Sequence, residues 1–154
     1  MTLLLRTLHG GHLYGLAHAD SDYDYYEVYA EPIKTEQEIV DGVDTLKISL
    51  VSYLKYLNTS HQAIESLYSP IKEVNELQWL VDSYVPGVQT YIAYKRAIRS
   101  SWHAGVFKKR RHAARLYLNL TDLYGYGRFD PRLNEHDREW VEQYARFGAD
   151  CPRF

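Results

Sequence analysis

His9-Gly10-Gly11-His12-Leu13-Tyr14-Gly15, followed by Asp20-Ser21-Asp22-Tyr23-Asp24-Tyr25, is the stretch on which the reading of this chain turns. A glycine pair after a strand lets the backbone approach a phosphate closely, and the helix start behind it offers free N–H groups and partial positive charge. Asp22 and Asp24 stand two residues apart, so on a strand both carboxylates project from one face, with Cα atoms roughly 6–7 Å apart. Like charges so placed repel unless a cation lies between them. Two Mg²⁺ ions about 3.5–4 Å apart would relieve that repulsion and align an attacking oxygen with a pyrophosphate leaving group. Taken alone, an Asp-x-Asp pair in a loop is more often a solvated turn. A calcium loop is the sharper competitor, with Asp20, Asp22, Asp24 and Glu31 at its first, third, fifth and twelfth positions. It is rejected because Tyr25 occupies the position that demands glycine, and no helix pattern precedes Asp20.

Working outward, Thr2–Leu8 is a β-permissive run leading into the glycines, and Asp22–Tyr29, rich in Tyr, Val and acids, suits a strand ended by Pro32. Ile39–Ile48 reads as a strand or hairpin turning at Asp41-Gly42. Leu50, Tyr53, Leu54 and Leu57 then fall at helical spacing, with Ser49 as the cap. Ile71, Val74, Leu77 and Val81 predict a further helix after Pro70, ended by Pro86-Gly87. The second half reads as helix nearly throughout. One helix is traced by Val88, Tyr91, Ile92, Lys95 and Ile98. A second runs from Phe107 to Leu123 and closes at Gly125 and Gly127. A last one is capped by Asn134 and ends at Gly148. The expected class is α+β, with a small mixed β-sheet and a helical C-terminal half, and a soft boundary near residue 86 across which the two parts pack as one body.

Composition permits this. At 154 residues, 45% hydrophobic and 25% charged, the chain can bury one core. A net charge of −2 excludes a general basic coat for nucleic acid. The 15 tyrosines suit core edges and wet clefts. No apolar run approaches a membrane helix, Leu3-Leu4-Leu5 is too short for a signal peptide, and Cys151 has no intramolecular partner, so the expected compartment is the cytosol.

The spacing carries a resemblance. Gly10-Gly11, ten residues, then Asp22-Tyr23-Asp24 is similar to the signature of the DNA polymerase β-like nucleotidyltransferase superfamily. The finer pattern is Gly10-x-x-x-Tyr14-Gly15-x-Ala17-x-x-x-Ser21-Asp22-x-Asp24. It resembles a branch of stand-alone predicted nucleotidyltransferases that is linked to bacterial RNA repair and found in phages. Leu46–Tyr68 is similar to that branch's leucine-rich helix and the element after it, and Lys108–Leu116 to its lysine…histidine…arginine helix. Gly11 departs from the commoner serine, and Ser52 and Lys55 differ from the usual basic residues.

The resemblance implies residues 1–86 as nucleotidyltransferase core and 87–154 as a helical segment packed on it. It implies transfer of a nucleoside monophosphate from an NTP to an acceptor hydroxyl, with Asp22 and Asp24 holding Mg²⁺ (or Mn²⁺). A third carboxylate is expected on a later strand, with Asp44 as first candidate and Asp41 behind it. Gly10, Gly11 and His12 are expected at the triphosphate. The basic run Lys108–His112 with Arg115 is either a solvated helix face or a phosphate or nucleic-acid contact, through Lys108, His112 and Arg115 on one side of a helix. Arg96 and Arg99 could extend that patch, with Trp102 available to stack a base. Glu65, on an apolar helix, is expected to need a buried partner such as Arg115. No histidine spacing here matches a zinc set. The acceptor favoured is nucleic acid, RNA first. The alternatives are a non-catalytic nucleotide- or nucleic-acid-binding module, or an antitoxin-like partner that modifies or masks a protein.

Overall fold

Five strands form one mixed sheet in the order β3-β4-β2-β1-β5. They are β1 (Leu3–His9), β2 (Tyr23–Tyr29), β3 (Glu36–Val40), β4 (Val43–Ser49) and β5 (Lys72–Asn75). The helices are α1 (Gly11–Tyr14), α2 (Leu50–Tyr56), α3 (His61–Tyr68), α4 (Gln78–Ser83), α5 (Val88–His103), α6 (Phe107–Tyr126) and α7 (Glu135–Phe147). This is a computed structural model that describes residues 1–153, and its class is α+β, as expected. β2 and β4 run parallel, and every other pairing is antiparallel.

Strand alternation explains how a core and a polar rim share one face of the sheet. Register partners point the same way, and every second residue returns to the same face. Leu5, Val28 and Ile48 form one row across β1, β2 and β4, each with no solvent exposure. Two residues along each strand lie Thr7, Tyr26 and Leu46, and two further on His9, Asp24 and Asp44. The face that begins as core therefore ends as a row of one histidine and two acids. The opposite face carries Arg6 between Glu27 and Glu73, at 2.7 and 2.6 Å, and Lys47 beside Glu38. α2 and α3 pack on the sheet, α5 on α3 and α6, and α7 on α6. One continuous apolar core includes Leu5 and Val28 from the sheet and Leu116 and Leu120 from α6.

Local signals decide most boundaries. Asp41 and Gly42 both take positive φ (51° and 77°), which the two-residue hairpin between β3 and β4 requires. Ser49 caps α2 by accepting from Ser52 N–H, and Asn134 caps α7 by accepting from Asp137 N–H at 2.8 Å. Gly127, in the left-handed region, ends α6.

Two expectations are corrected. The helix expected over Ile71–Val81 is instead strand β5 followed by the short α4. Pro70 holds Ser69 out of the helical region, and the open edge of β1 offers Lys72–Asn75 a ladder of hydrogen bonds. Burial there alternates with period two, and Asn75 turns the chain by accepting from Leu77 N–H. The second correction concerns Asp22, which precedes β2 and is exposed, so only Asp24 of that pair lies in the ladder.

Glu65 of α3 and Arg115 of α6 form the buried pair anticipated from sequence, Oε1 to Nη1 at 2.7 Å, with side chains 0% and 2% exposed. The Tyr14 hydroxyl donates to the other Glu65 oxygen, and the Arg115 guanidinium lies 3.6 Å over the Tyr14 ring. Burial raises the Glu65 carboxyl, but Arg115, His61 and the Tyr14 hydrogen bond outweigh it and hold the group ionised. Removing one member strands the other charge in the core, which costs about 3–5 kcal/mol. Glu65→Ala is accordingly expected to lower unfolding free energy by about that amount in urea denaturation. A loss below about 1 kcal/mol would show that the pair does not anchor α3 to α6.

Candidate active site

β1 delivers His9 and, one residue on, Gly10 at φ +75°, a conformation open to glycine and costly elsewhere. A side chain at Gly10 would collide with the Asp24 carboxylate, so the glycine is what lets that acid lie against the backbone bend. Asp24 and Asp44 are direct register partners on the parallel strands β2 and β4. Both carboxylates face one cavity of about 420 Å³. His61, Gln62 and Glu65 of α3 and Lys108, His112 and Arg115 of α6 close its other side. Gln37 on edge strand β3 donates its amide to both Asp44 oxygens, at 2.8 and 2.7 Å, and so fixes that carboxylate's orientation.

The electrostatics follow from this crowding. Burial, then the carboxylates of Asp44 and Asp22, push Asp24 from the usual 3.8 up to about 6, against the opposing pull of His12 and Lys108. Two acids side by side, one driven toward its neutral form, are a place where a cation binds favourably. His9 and His61 are both lowered, chiefly by burial.

Of the residues singled out from sequence, Gly10, Tyr14, Asp24, Asp44, Glu65, Lys108, His112 and Arg115 meet in this cavity. The others stand outside its lining. Asp22 lies at the entry to β2, near enough to act on Asp24 through its charge. Gly11 packs against Ala17. The His12 ring stacks on Tyr23 at 3.7 Å and its Nε2 donates to the Ser21 carbonyl, so it clamps the loop that carries Asp22. Asp41 sits in the hairpin turn, which leaves Asp44 as the acid beside Asp24.

Arg115 reaches the cavity but is committed to Glu65 and His112. Within the basic run, Arg110 covers Trp102 at 3.8 Å and bonds the Gly148 carbonyl, while Arg111 pairs with Glu142. Trp102 is thus buried and does not present a stacking face.

Gln37, His61 and Gln62 line the site without having been anticipated, and His9, noted beside the motif but set aside as a zinc ligand, lines it too. The signal for Gln37 was present: a two-residue turn at Asp41-Gly42 fixes the register that brings it diagonal to Asp44. His61 and Gln62 depend on how α3 packs, which no local pattern specifies.

Among the described residues no three His, Cys, Asp or Glu side chains converge as a ready metal-ligand set. Mg²⁺ does not require one, because it is commonly held by one or two carboxylates together with substrate phosphates and water. No helix among the described residues is long and apolar enough to cross a membrane. Compared with known proteins, the chain matches no family model and no curated protein.

The raised Asp24 pKa has a defined sign for stability. Ionising Asp24 is harder in the folded chain than in the unfolded one, so stability is lost as pH rises from about 4 through about 6. A shift of this size corresponds to about 3 kcal/mol in a dry site, and to about 1 kcal/mol after solvent screening of a half-buried group. Metal-free Asp24→Asn is therefore expected to be more stable than the parent by about 1 kcal/mol at pH 7.5 and equal to it near pH 4, with Mg²⁺ narrowing the gap at pH 7.5. Urea denaturation across pH measures this, and an Asn variant less stable at pH 7.5 would contradict it.

Proposed function

We propose that this chain is a metal-dependent nucleotidyltransferase that moves a nucleoside monophosphate from an NTP to an acceptor hydroxyl. The observation that carries this is the register match of Asp24 and Asp44 on neighbouring parallel strands, facing a cavity that also holds Gly10 and Lys108. The glycine-pair and Asp-x-Asp spacing, with its resemblance to the polymerase β-like superfamily, supports the same reaction from the sequence side.

Asp24 and Asp44 suit a hard divalent cation, Mg²⁺ or Mn²⁺, because their oxygens are hard donors and their mutual repulsion is what such an ion relieves. Bound there, the ion would neutralise phosphate charge and polarise the reacting phosphoryl group. The chain's own residues supply position and charge. Gly10 leaves room for Asp24, and Gln37 holds Asp44 in one orientation. Lys108 brings a cation toward the phosphates. The carboxylate pair also offers a proton acceptor to the attacking hydroxyl as the new ester bond forms at the α-phosphorus and pyrophosphate departs. Catalysis on this account is positioning and charge stabilisation, with no covalent enzyme intermediate.

A non-catalytic module of the same fold has no need of a second acid beside Asp24, so the Asp24–Asp44 juxtaposition favours transfer over binding alone. The acceptor we favour is nucleic acid, RNA first, and this part rests on the resemblance.

Each of the four NTPs, labelled at the α-phosphate, should be incubated with Mg²⁺ and RNA, DNA or protein acceptors. Label transfer is expected, falling by about 10²–10³-fold in Asp24→Asn and in Asp44→Asn. Lys108→Ala is expected to raise the KM for NTP about tenfold. Label that reaches a protein tyrosine would redirect the acceptor to protein. Transfer that is absent for every acceptor, or indifferent to both aspartates, would overturn the enzymatic proposal.

A further inference from the structure

His112 lies one helical turn beyond Lys108 on the cavity side of α6, and its ring is held by a neighbour that can only donate. Arg115 Nη2 lies 3.0 Å from His112 Nδ1. A guanidinium has no acceptor and does not lose its proton, so Nδ1 must be the acceptor of this hydrogen bond. The single proton of the imidazole then sits on Nε2. Arg115 has no freedom to turn away. Its Nη1 donates to Glu65 at 2.7 Å, its plane lies over Tyr14, and its side chain is almost wholly enclosed.

Protonating the ring would place a second N–H against the guanidinium and set two cations about 3 Å apart. Burial, then Arg115 and His61, hold the His112 pKa down to about 3, with Lys109 acting in the same direction. Glu65 acts the other way, toward the charged form, but that acid is already paired with Arg115. Among the described residues Nε2 meets no hydrogen-bond acceptor.

We propose that the Glu65–Arg115 pair locks His112 as a neutral imidazole that offers Nε2–H to a phosphate oxygen of the bound nucleotide. This rests on the nucleotide reading of the cavity and adds to it a specific contact: a donor whose strength does not change across the physiological pH range, set beside the exposed charge of Lys108. A phosphate chain is the ligand the pair fits best, because Lys108 and His112 present a cation and an uncharged donor four residues apart on one helix face.

The test is imidazole ¹⁵N NMR on the whole chain, with His112→Gln used to assign the resonances. The expected result is an unprotonated Nδ1 and a protonated Nε2 at His112, unchanged from pH 5 to pH 8, with Nε2–H shifting when Mg²⁺ and inorganic tripolyphosphate are added. Mg²⁺ with a nucleoside lacking phosphate is expected to leave it unmoved. A proton on Nδ1, or titration of the ring between pH 5 and pH 8, would overturn the proposal. Tripolyphosphate that moves the Gly10–Tyr14 amides but not His112 Nε2 would overturn it while leaving the nucleotide reading intact. Tripolyphosphate that moves neither would overturn both. In the transfer assay, His112→Leu is expected to raise the KM for NTP roughly ten- to a hundredfold, with His112→Gln, which keeps a donor near Nε2, recovering most of it. Equal KM values in the Leu and Gln variants would also count against the donor role.

Discussion

Glu65 and Arg115 are enclosed where α3 meets α6, and neither charge is tolerable there without the other. Their pairing does more than connect two helices. It draws in the Tyr14 hydroxyl, which sets α1 and so the exit of the chain from Gly10. It also reaches His112 through the second Arg115 nitrogen. One buried ion pair therefore relates the glycine bend, the α3 wall and the α6 wall of the same cavity. Replacing such a pair with apolar residues can leave stability unchanged or improve it. What an apolar replacement does not supply is the directional control of Tyr14 and His112.

The sheet imposes a second constraint. Leu5, Val28 and Ile48 occupy the same face as His9, Asp24 and Asp44, four residues along each strand. The acids are thus built on paired interior strands of the sheet and emerge where the covering helices leave a cavity. Crowding them raises Asp24 toward neutrality, a local cost to stability. Rule-breaking of this kind, like charges on adjacent strands over an otherwise apolar face, is what sets a site apart from a core.

Much of this was legible in the sequence. Hydrophobic spacing and caps gave α2, α6 and α7, and the Asp41-Gly42 turn gave the β3–β4 hairpin. The glycine bend and Asp24 stood out through their spacing, and Asp44 was the first candidate, ahead of Asp41, for the third carboxylate that the resemblance implies on a later strand. The failures share a cause. Ile71, Val74, Leu77 and Val81 match a helix period, but pairing with the free edge of β1 is a long-range gain that local pattern does not report. Asp22 and Asp24 look equivalent by spacing until the strand is seen to begin at Tyr23. The basic run from Lys108 to Arg111 looks uniform, although packing against α7 and Trp102 gives Arg110 and Arg111 structural work and leaves Lys108 at the cavity.

The central claim is that Asp24 and Asp44 together hold a divalent cation in the presence of a nucleotide. A crystal of this chain grown with Mn²⁺ and a non-hydrolysable NTP tests it most directly, through the anomalous signal of the metal. The account predicts a Mn²⁺ peak at the Asp24 and Asp44 carboxylates, with the triphosphate between them and Lys108. A nucleotide bound elsewhere, or Mn²⁺ absent from both carboxylates while the nucleotide is in place, would contradict it.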